Sequence, residues 1–580
     1  MTDKEGAVIS DAKITAKNVD TGLKRTVETD RSGEYIVSEL PVGNYEITIE
    51  RDGFQTATVQ NLRVEVSSDR EVNVILETGK VEQAVVVEGA IPLVSTTSNQ
   101  LGQVFDKRQV GILPINGRDF TKLLVINTGA TGEPSSVSDS PGSFGLFSVN
   151  GNRGRANNYL LDGTDMNDGY RNLPAINEPG VFGTPGTILP LEAVEELGLI
   201  LNFPPEYGRN SGAIVNIVTK SGTNEFHGSA FEFFRNDKLD ARNFFNAKPN
   251  PKTAFRNNQF GFSLGGPIIK NRTFFFSNYE GQRERVVLNS LVRVPTAAEF
   301  AALGGPTNPI IAGILARNPW PTPNISVPLF DPTPNLSAST PAINDIDTAT
   351  IKIDHQFSQA DQLTGRYYFG QSFQSFPLAL LGGNILPGFN TDSPTRVQIG
   401  SISYLKVISP TKVNELRFGY NRFKQNFFAQ DGDFNPNSIG LNTGVNNPRQ
   451  FGLPFIAIQN DPLLGSSIAS LGANSSIPRG RIATNLQLLD NFSLKLQKHE
   501  FKFGYEYRRT FVNGFFDAGY RGRLNFASLA DFLAGRPSGG RSAMGDSQRG
   551  TFQNSHSAFF QDSYRVRPTV TLNYGVRYDY

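Results

Sequence analysis

Cysteine is absent from the 580 residues, so the chain can form no disulfide and has no thiol chemistry; the absence assigns no compartment. Charge of one sign is not in excess: Lys+Arg number 55, Asp+Glu 54, and a net +1 argues against a dedicated nucleic-acid binder. No apolar run approaches the ~18 residues of a transmembrane helix. The start, "MTDKEGAVISDAK", has no apolar core of a signal peptide. Histidine is scarce and scattered, at His227, His355, His499 and His556, and no H-E-x-x-H pair exists. A G-x-S-x-G elbow, a Walker A loop and a Ca²⁺-binding loop pattern are also missing, and "GNRGRANN" lacks the strand–GK[ST]–helix setting of a phosphate cradle. These absences leave no enzyme reading and no cofactor to expect.

Phenylalanine is abundant at 44, with 17 Tyr, 57 Gly and 35 Pro, a mixture that favours strands and turns over helix bundles. The length implies several domains. Residues 1–79 read as a small β-sandwich. Turns at Asp20-Thr21-Gly22, Asp30-Arg31-Ser32-Gly33, Pro41-Val42-Gly43 and Asp52-Gly53 separate short strands. Tyr45, Ile47 and Ile49 alternate with Glu46, Thr48 and Glu50, as on a sheet with one dry face. The series Asp30, Gly33, Tyr35, Leu40, Pro41, Gly43, Tyr45, Ile47 resembles the carboxypeptidase regulatory-like, prealbumin-type domain. Residues 80–95 read as a linker with one apolar patch, Ala84 to Val87, either a last sandwich strand or a segment for strand addition to a partner. Residues 96–221 read as a mixed α/β domain, with two short helices around "LPINGR" and a helix or short turn in "LEAVEELGLI" before further strands.

From 222 to 580 the strands change character. Phe501, Phe503, Tyr505 and Tyr507 share one face against Lys502, Gly504, Glu506 and Arg508. Leu416, Phe418 and Tyr420 oppose Glu415, Arg417 and Asn421, and Leu572, Tyr574, Val576, Tyr578 and Tyr580 oppose Asn573 and Arg577. Such strands suit a membrane crossing of about 9–11 residues with an apolar outside and polar inside. Soluble sandwiches alternate too, but the connections decide. About eleven strands are predicted, near 226–236, 257–266, 272–284, 348–358, 361–373, 396–408, 411–426, 484–496, 499–511, 553–565 and 569–580, joined alternately by short turns and long loops. Short turns at one rim and long loops at the other characterise an outer-membrane barrel. The fold class is therefore mainly β: an N-terminal sandwich, a mixed α/β domain and a partial antiparallel transmembrane barrel.

The motifs "LPINGRDFTKLL" (113–124), "VNGNRGRANNYLLDGTD" (149–165), "EYGRNSGAIVNIVTKSGTNEFHGSAFEFFRN" (206–236) and "NNQFGFSLGGPIIKNRTFFFSNYEG" (257–281) resemble TonB-dependent outer-membrane receptors of the Oar-like type. The resemblance implies a plug at 96–221 inside the barrel, gated import of a ligand, and energy coupling by a TonB-type protein. Ala84, Val85, Val86 and Val87 become the candidate TonB box. Arg153, Arg155, Glu192, Glu196 and Arg209 become candidate plug–barrel contacts. The implied partners are TonB, outer-membrane lipid and a small ligand, glycan or peptide, with no nucleic acid. The implied location is the outer membrane of a Gram-negative bacterium, with the N-terminal domain in the periplasm. Family barrels of about twenty-two strands are plugged. With about half that number here, the chain is expected to be an internal fragment, roughly the first half of a receptor. Competing readings are a surface adhesion or glycan-binding β protein without transport, and a ligand-sensing receptor that signals through its N-terminal domain.

Overall fold

The computed structural model describes residues 1–66, 68–79, 84–88, 101–113, 115–132, 147–178, 185–242, 252–377, 385–463, 466–567 and 570–580. The N-terminal unit contains β1 (Thr2–Asp3), β2 (Lys13–Asn18), β3 (Lys24–Glu28), β4 (Gly43–Glu50), β5 (Thr56–Val64), β6 (Ile75–Leu76) and β7 (Ala84–Glu88). A five-stranded sheet runs β3-β2-β4-β5-β7, and β1 pairs with β6. Tyr45, Ile47 and Ile49 are buried together with Ile14, Val59 and Leu76 in one core, as their alternation requires. The motif residues make the turns. Asp30 Oδ1 accepts from the backbone N–H of Ser32 and of Glu34, and Gly33 turns with φ +71°, where a Cβ would lie 2.6 Å from the Met1 carbonyl. The Tyr45 hydroxyl donates back to the Pro41 carbonyl at 2.8 Å. Of the expected linker, 80–83 and 89–95 lie outside the described residues. Its apolar patch forms the edge strand β7, parallel to β5 with Thr56 opposite Ala84 and Val59 opposite Val87.

The next unit contains β8 (Gly102–Asp106), α1 (Lys107–Ile112), α2 (Thr121–Leu124), β9 (Ala130–Gly132), β10 (Phe147–Val149), β11 (Asn158–Leu161), β12 (Thr164–Asp165), β13 (Val194–Ile200) and β14 (Ile214–Thr219). Asp106 starts α1 with a capping box to Gln109. The sheet order is β12-β11-β14-β13-β8. "LEAVEELGLI" gives a single 3₁₀ turn at Leu191–Ala193 and then strand β13. Leu197, Leu199 and Ile200 are all buried there. An inner strand lying between β14 and β8 is covered on both faces, and that setting overrides helical spacing.

Eleven antiparallel strands form one sheet: β15 (His227–Asn236), β16 (Phe255–Ile269), β17 (Thr273–Val292), β18 (Leu336–Gln356), β19 (Asp361–Phe376), β20 (Thr391–Ser409) and β21 (Lys412–Ala429), then, after β22 (Phe455–Asp461) and β23 (Ser466–Leu471) leave it, β24 (Arg479–Leu496) and β25 (His499–Phe516), and, past β26 (Arg523–Phe526) and β27 (Gly539–Arg541), β28 (Arg549–Arg567) and β29 (Val570–Asp579). All eleven predicted strands are present. Several run longer toward the long-loop rim. β18 has 21 residues, about twice the ~9–11 needed to cross a bilayer. The sheet is open, since β15 and β29 are not paired with each other. No described helix is long and apolar enough to cross a membrane, which says nothing of strands.

The long loops carry no strand or helix assignment from sequence. In the structure they condense into a lobe with its own core. α3 (Ala297–Ala302), α4 (Pro309–Leu315) and α5 (Leu529–Leu533) pack with a four-stranded sheet of order β23-β22-β26-β27. Trp320 meets Phe532 edge-on at 5.6 Å, and Phe532 meets Phe526 at 5.2 Å.

Candidate functional site

The sheet's two faces settle what kind of wall it is. Phe503 and Tyr505 are 40 % and 46 % exposed on the outside, whereas Glu506 and Arg508 are each 8 % exposed on the inside. The same split holds for Leu416 and Phe418 outside against Asn421 inside, and for Leu488 outside against Gln487 inside. An apolar outer surface and a polar lumen are what a lipid-facing barrel wall needs.

The α/β unit fills the concave inner face. Its core of Phe105, Phe120, Tyr159 and Ile217 is continuous with wall residues Tyr368, Val397, Ile399 and Phe423. Wall side chains also reach plug carbonyls. Arg366 donates to Leu161 at 3.0 Å, Arg417 to Gly163 at 2.7 Å, Asn421 and Asn485 to Asn167 at 3.0 and 2.8 Å, and Tyr368 to Ile188 at 2.6 Å. Gly419 lets the wall come this close, because a Cβ there would lie 2.6 Å from Thr164 Cγ2.

Ion pairs complete the seat. Asp162 faces Arg366 at 2.8 Å and Lys352 at 3.7 Å. Asp165 faces Arg508 at 3.3 Å and also pairs with Arg209. Asp168 meets Arg481 at 3.3 Å, and Glu178 pairs with the same guanidinium. Arg118 pairs with Glu192 within the plug and with Glu280 of the wall at 3.3 Å. Burial disfavours ionisation of Asp162, but Lys352 and Arg366 outweigh it and hold its carboxyl below the usual range. Burial pushes Glu178 up to about 7, with the Asp168 charge adding to the shift and Arg481 opposing it. Asp119, buried in the plug, is pushed up to about 7 by desolvation; its nearest partners are the N–H and hydroxyl of Thr121.

The candidate plug contacts are therefore placed unequally. Glu192 touches the wall network through Arg118, and Arg209 through Asp165. Glu196 turns the other way, pairing with Arg63 of the N-terminal sandwich at 2.6 Å and accepting from the Val66 N–H at 2.8 Å. Arg153 and Arg155 are exposed and make no ion pair among the described residues. The residues that carry most of the seat, Asp162, Asp165, Asp168 and Arg118, were not singled out from sequence. Their signal was present as three Asp spaced three apart in "LLDGTDMND". Among the described residues no group of His, Asp and Glu could hold a metal ion.

Residues 218–580 match the family model described as outer membrane beta barrel domain. The chain belongs to this outer-membrane β-barrel family. Residues 1–77 of this barrel protein match a carboxypeptidase regulatory-like domain. It is similar to the TonB-dependent transporter Oar of Myxococcus xanthus, 28 % identical over 284 residues, covering 47 % of this chain and 25 % of that protein. It is also similar to the probable TonB-dependent siderophore receptor PirA of Acinetobacter baumannii, 27 % identical over 227 residues, covering 36 % of this chain and 28 % of that protein. The match thus spans about a quarter of each curated relative. Among solved structures, the outer membrane transporter YddB from Escherichia coli superposes with a TM-score of 0.54 at 13 % identity, covering 83 % of this chain and 56 % of that one, a likeness of fold. Together these place the barrel in the Gram-negative outer membrane. Its relatives are transporters and receptors rather than enzymes.

Proposed function

We propose that this outer-membrane β-barrel protein takes up a small ligand from outside the cell by energy-coupled movement of its plug. The observation that carries the reading is the plug seat. The plug fills the inner face through a shared apolar core and buried ion pairs, so passage requires work on the plug. A TonB-type protein supplies that work through Ala84, Val85, Val86 and Val87. Support for this comes from β7, an edge strand with no second strand partner among the described residues, which is what strand addition uses. Ferric siderophores are the first ligand class to test, because the similar PirA is named a probable siderophore receptor.

The chain's lack of cysteine makes the test direct. Single cysteines at 84–87 in the intact protein are to be challenged in cells with cysteines in the periplasmic domain of TonB. Capture at these positions, well above that at Asp52→Cys, is expected. Capture no greater than at Asp52 excludes this segment as the coupling strand. Deletion of 84–87 is expected to abolish uptake of ⁵⁵Fe-loaded siderophores; unchanged uptake rules out coupling here.

A further inference from the structure

The N-terminal sandwich sits against the short-turn rim of the barrel, the periplasmic side of such a wall. Its contacts run along most of that rim. The Asp20 carbonyl accepts from the Asn224 N–H at 3.0 Å, where the plug passes into the first wall strand. Gly22 abuts Asn271 between β16 and β17, and the Lys24 N–H donates to Gln359 at 2.8 Å between β18 and β19. Asp30 faces Lys495 at 3.8 Å, Glu34 faces Arg565 at 3.4 Å and Glu39 faces Lys502 at 3.4 Å. The domain contributes the acids and the rim contributes the bases.

Two further observations give this contact a meaning. Its hydrogen bonds and ion pairs are polar contacts outside the sandwich's buried core, which contains residues of the sandwich alone, unlike the plug core, which includes wall residues. The contact also borders a partly open cavity. This cavity of about 640 Å³ is lined by Leu40 and Arg63 of the sandwich, Asp162 and Lys220 of the plug, and Lys352 and Ser263 of the wall. The sandwich is the floor of this chamber.

We propose that the N-terminal sandwich is a detachable periplasmic gate: it closes a chamber beneath the plug and is latched to the rim by acid–base contacts. These pairs keep between 16 % and 33 % of each side chain exposed, so water screens them more than the deep pairs of the plug and each is the weaker, more reversible contact. The seat is held by several that can be released in turn. β7 belongs to the same sheet, so a pull on 84–88 loads the gate as well as the plug. This rests on the transport reading for its purpose, but its geometry is testable without transport.

Ser263→Cys, on the wall of the chamber, is to be labelled in the intact protein with a membrane-impermeant maleimide supplied from the periplasmic side. Lys495→Glu with Arg565→Glu is expected to speed labelling about tenfold, because two attractive contacts become repulsive. Locking the domain through Lys24→Cys and Gln359→Cys with a short bis-maleimide, with position 263 now carrying a genetically encoded azide read by a membrane-impermeant cyclooctyne, is expected to suppress labelling and to cancel the effect of the reversals. Labelling that ignores both the lock and the reversals overturns the gate, as does failure of the 24–359 pair to cross-link. Loss of siderophore uptake in the locked form, with labelling behaving as expected, supports gate and transport together. Uptake that continues in the locked form removes the gate from the path while leaving the plug mechanism standing.

Discussion

The plug and the N-terminal sandwich meet the same barrel through the same kind of chemistry, carboxylates of one against cations of the other, but at very different depth. At the plug, Asp168 and Arg366 side chains are fully buried and Asp165 is 1 % exposed. At the rim, Asp30 and Glu39 are each 33 % exposed. Depth decides what an ion pair does. A buried pair contributes modestly when intact, yet removing one partner strands a charge out of water. A partly exposed pair is better screened and releases more easily. One set of contacts fixes the plug's position, and the other suits repeated attachment and release.

The largest expected effect breaks the deep set. Asp162→Ala leaves Lys352 and Arg366 buried without their carboxylate, and should cost roughly 3–5 kcal/mol of plug seating, read as faster hydrogen exchange across β11 and β14. A smaller but still large effect is expected where contact is purely apolar. Leu533→Ala in the loop lobe should cost roughly 3 kcal/mol, confined to the lobe, with plug exchange unchanged. Spread of that effect into the plug would show that the lobe and plug are one unit.

The third expectation is a pH dependence. The Asp119 carboxyl has its folded pKa raised to about 7 from about 4 when unfolded, so between these values the folded plug binds the extra proton. Its contribution is full below the unfolded pKa and is lost as pH rises through about 7. Plug stability should therefore fall by about 1 kcal/mol per pH unit inside this window. Asp119→Asn, which keeps an acceptor for Thr121, should flatten the slope. An equal slope in the variant assigns the dependence elsewhere. The smallest expected effect is at the rim. Lys495→Ala should change global stability by less than about 1 kcal/mol. A loss as large as that of Asp162→Ala would erase the distinction between the two interfaces.

How much of this could be read beforehand follows from how local each signal is. The eleven wall strands were legible because inside–outside alternation and short turns lie within single hairpins, as in Leu486 to Glu506. Their extensions past the membrane were not, because residues such as Ser337, Ser339 and Thr340 carry no apolar alternation. The lobe was invisible because Trp320, Ile458 and Phe532 come from three different loops and meet only in space. The plug seat was half legible. Its motif was recognised, but the bases that answer Asp162, Asp165 and Asp168 lie on β18, β19, β24 and β25, hundreds of residues away. Glu196 was expected at the wall and faces the sandwich, since β13 presents it to Arg63 and Val66.

Everything above depends on the sheet being a membrane wall with the plug on its inner face. Nitroxide labels placed singly in this cysteine-free chain test it most directly, in the intact protein in lipid bilayers. Labels at Leu488, Phe503 and Tyr505 should be relaxed by oxygen dissolved in the bilayer and shielded from a water-soluble nickel chelate, while labels at Asn485 and Gln487 should be shielded from oxygen. Equal access to the nickel chelate on both faces, without alternation, would contradict the membrane wall and return the chain to the reading of a soluble β protein.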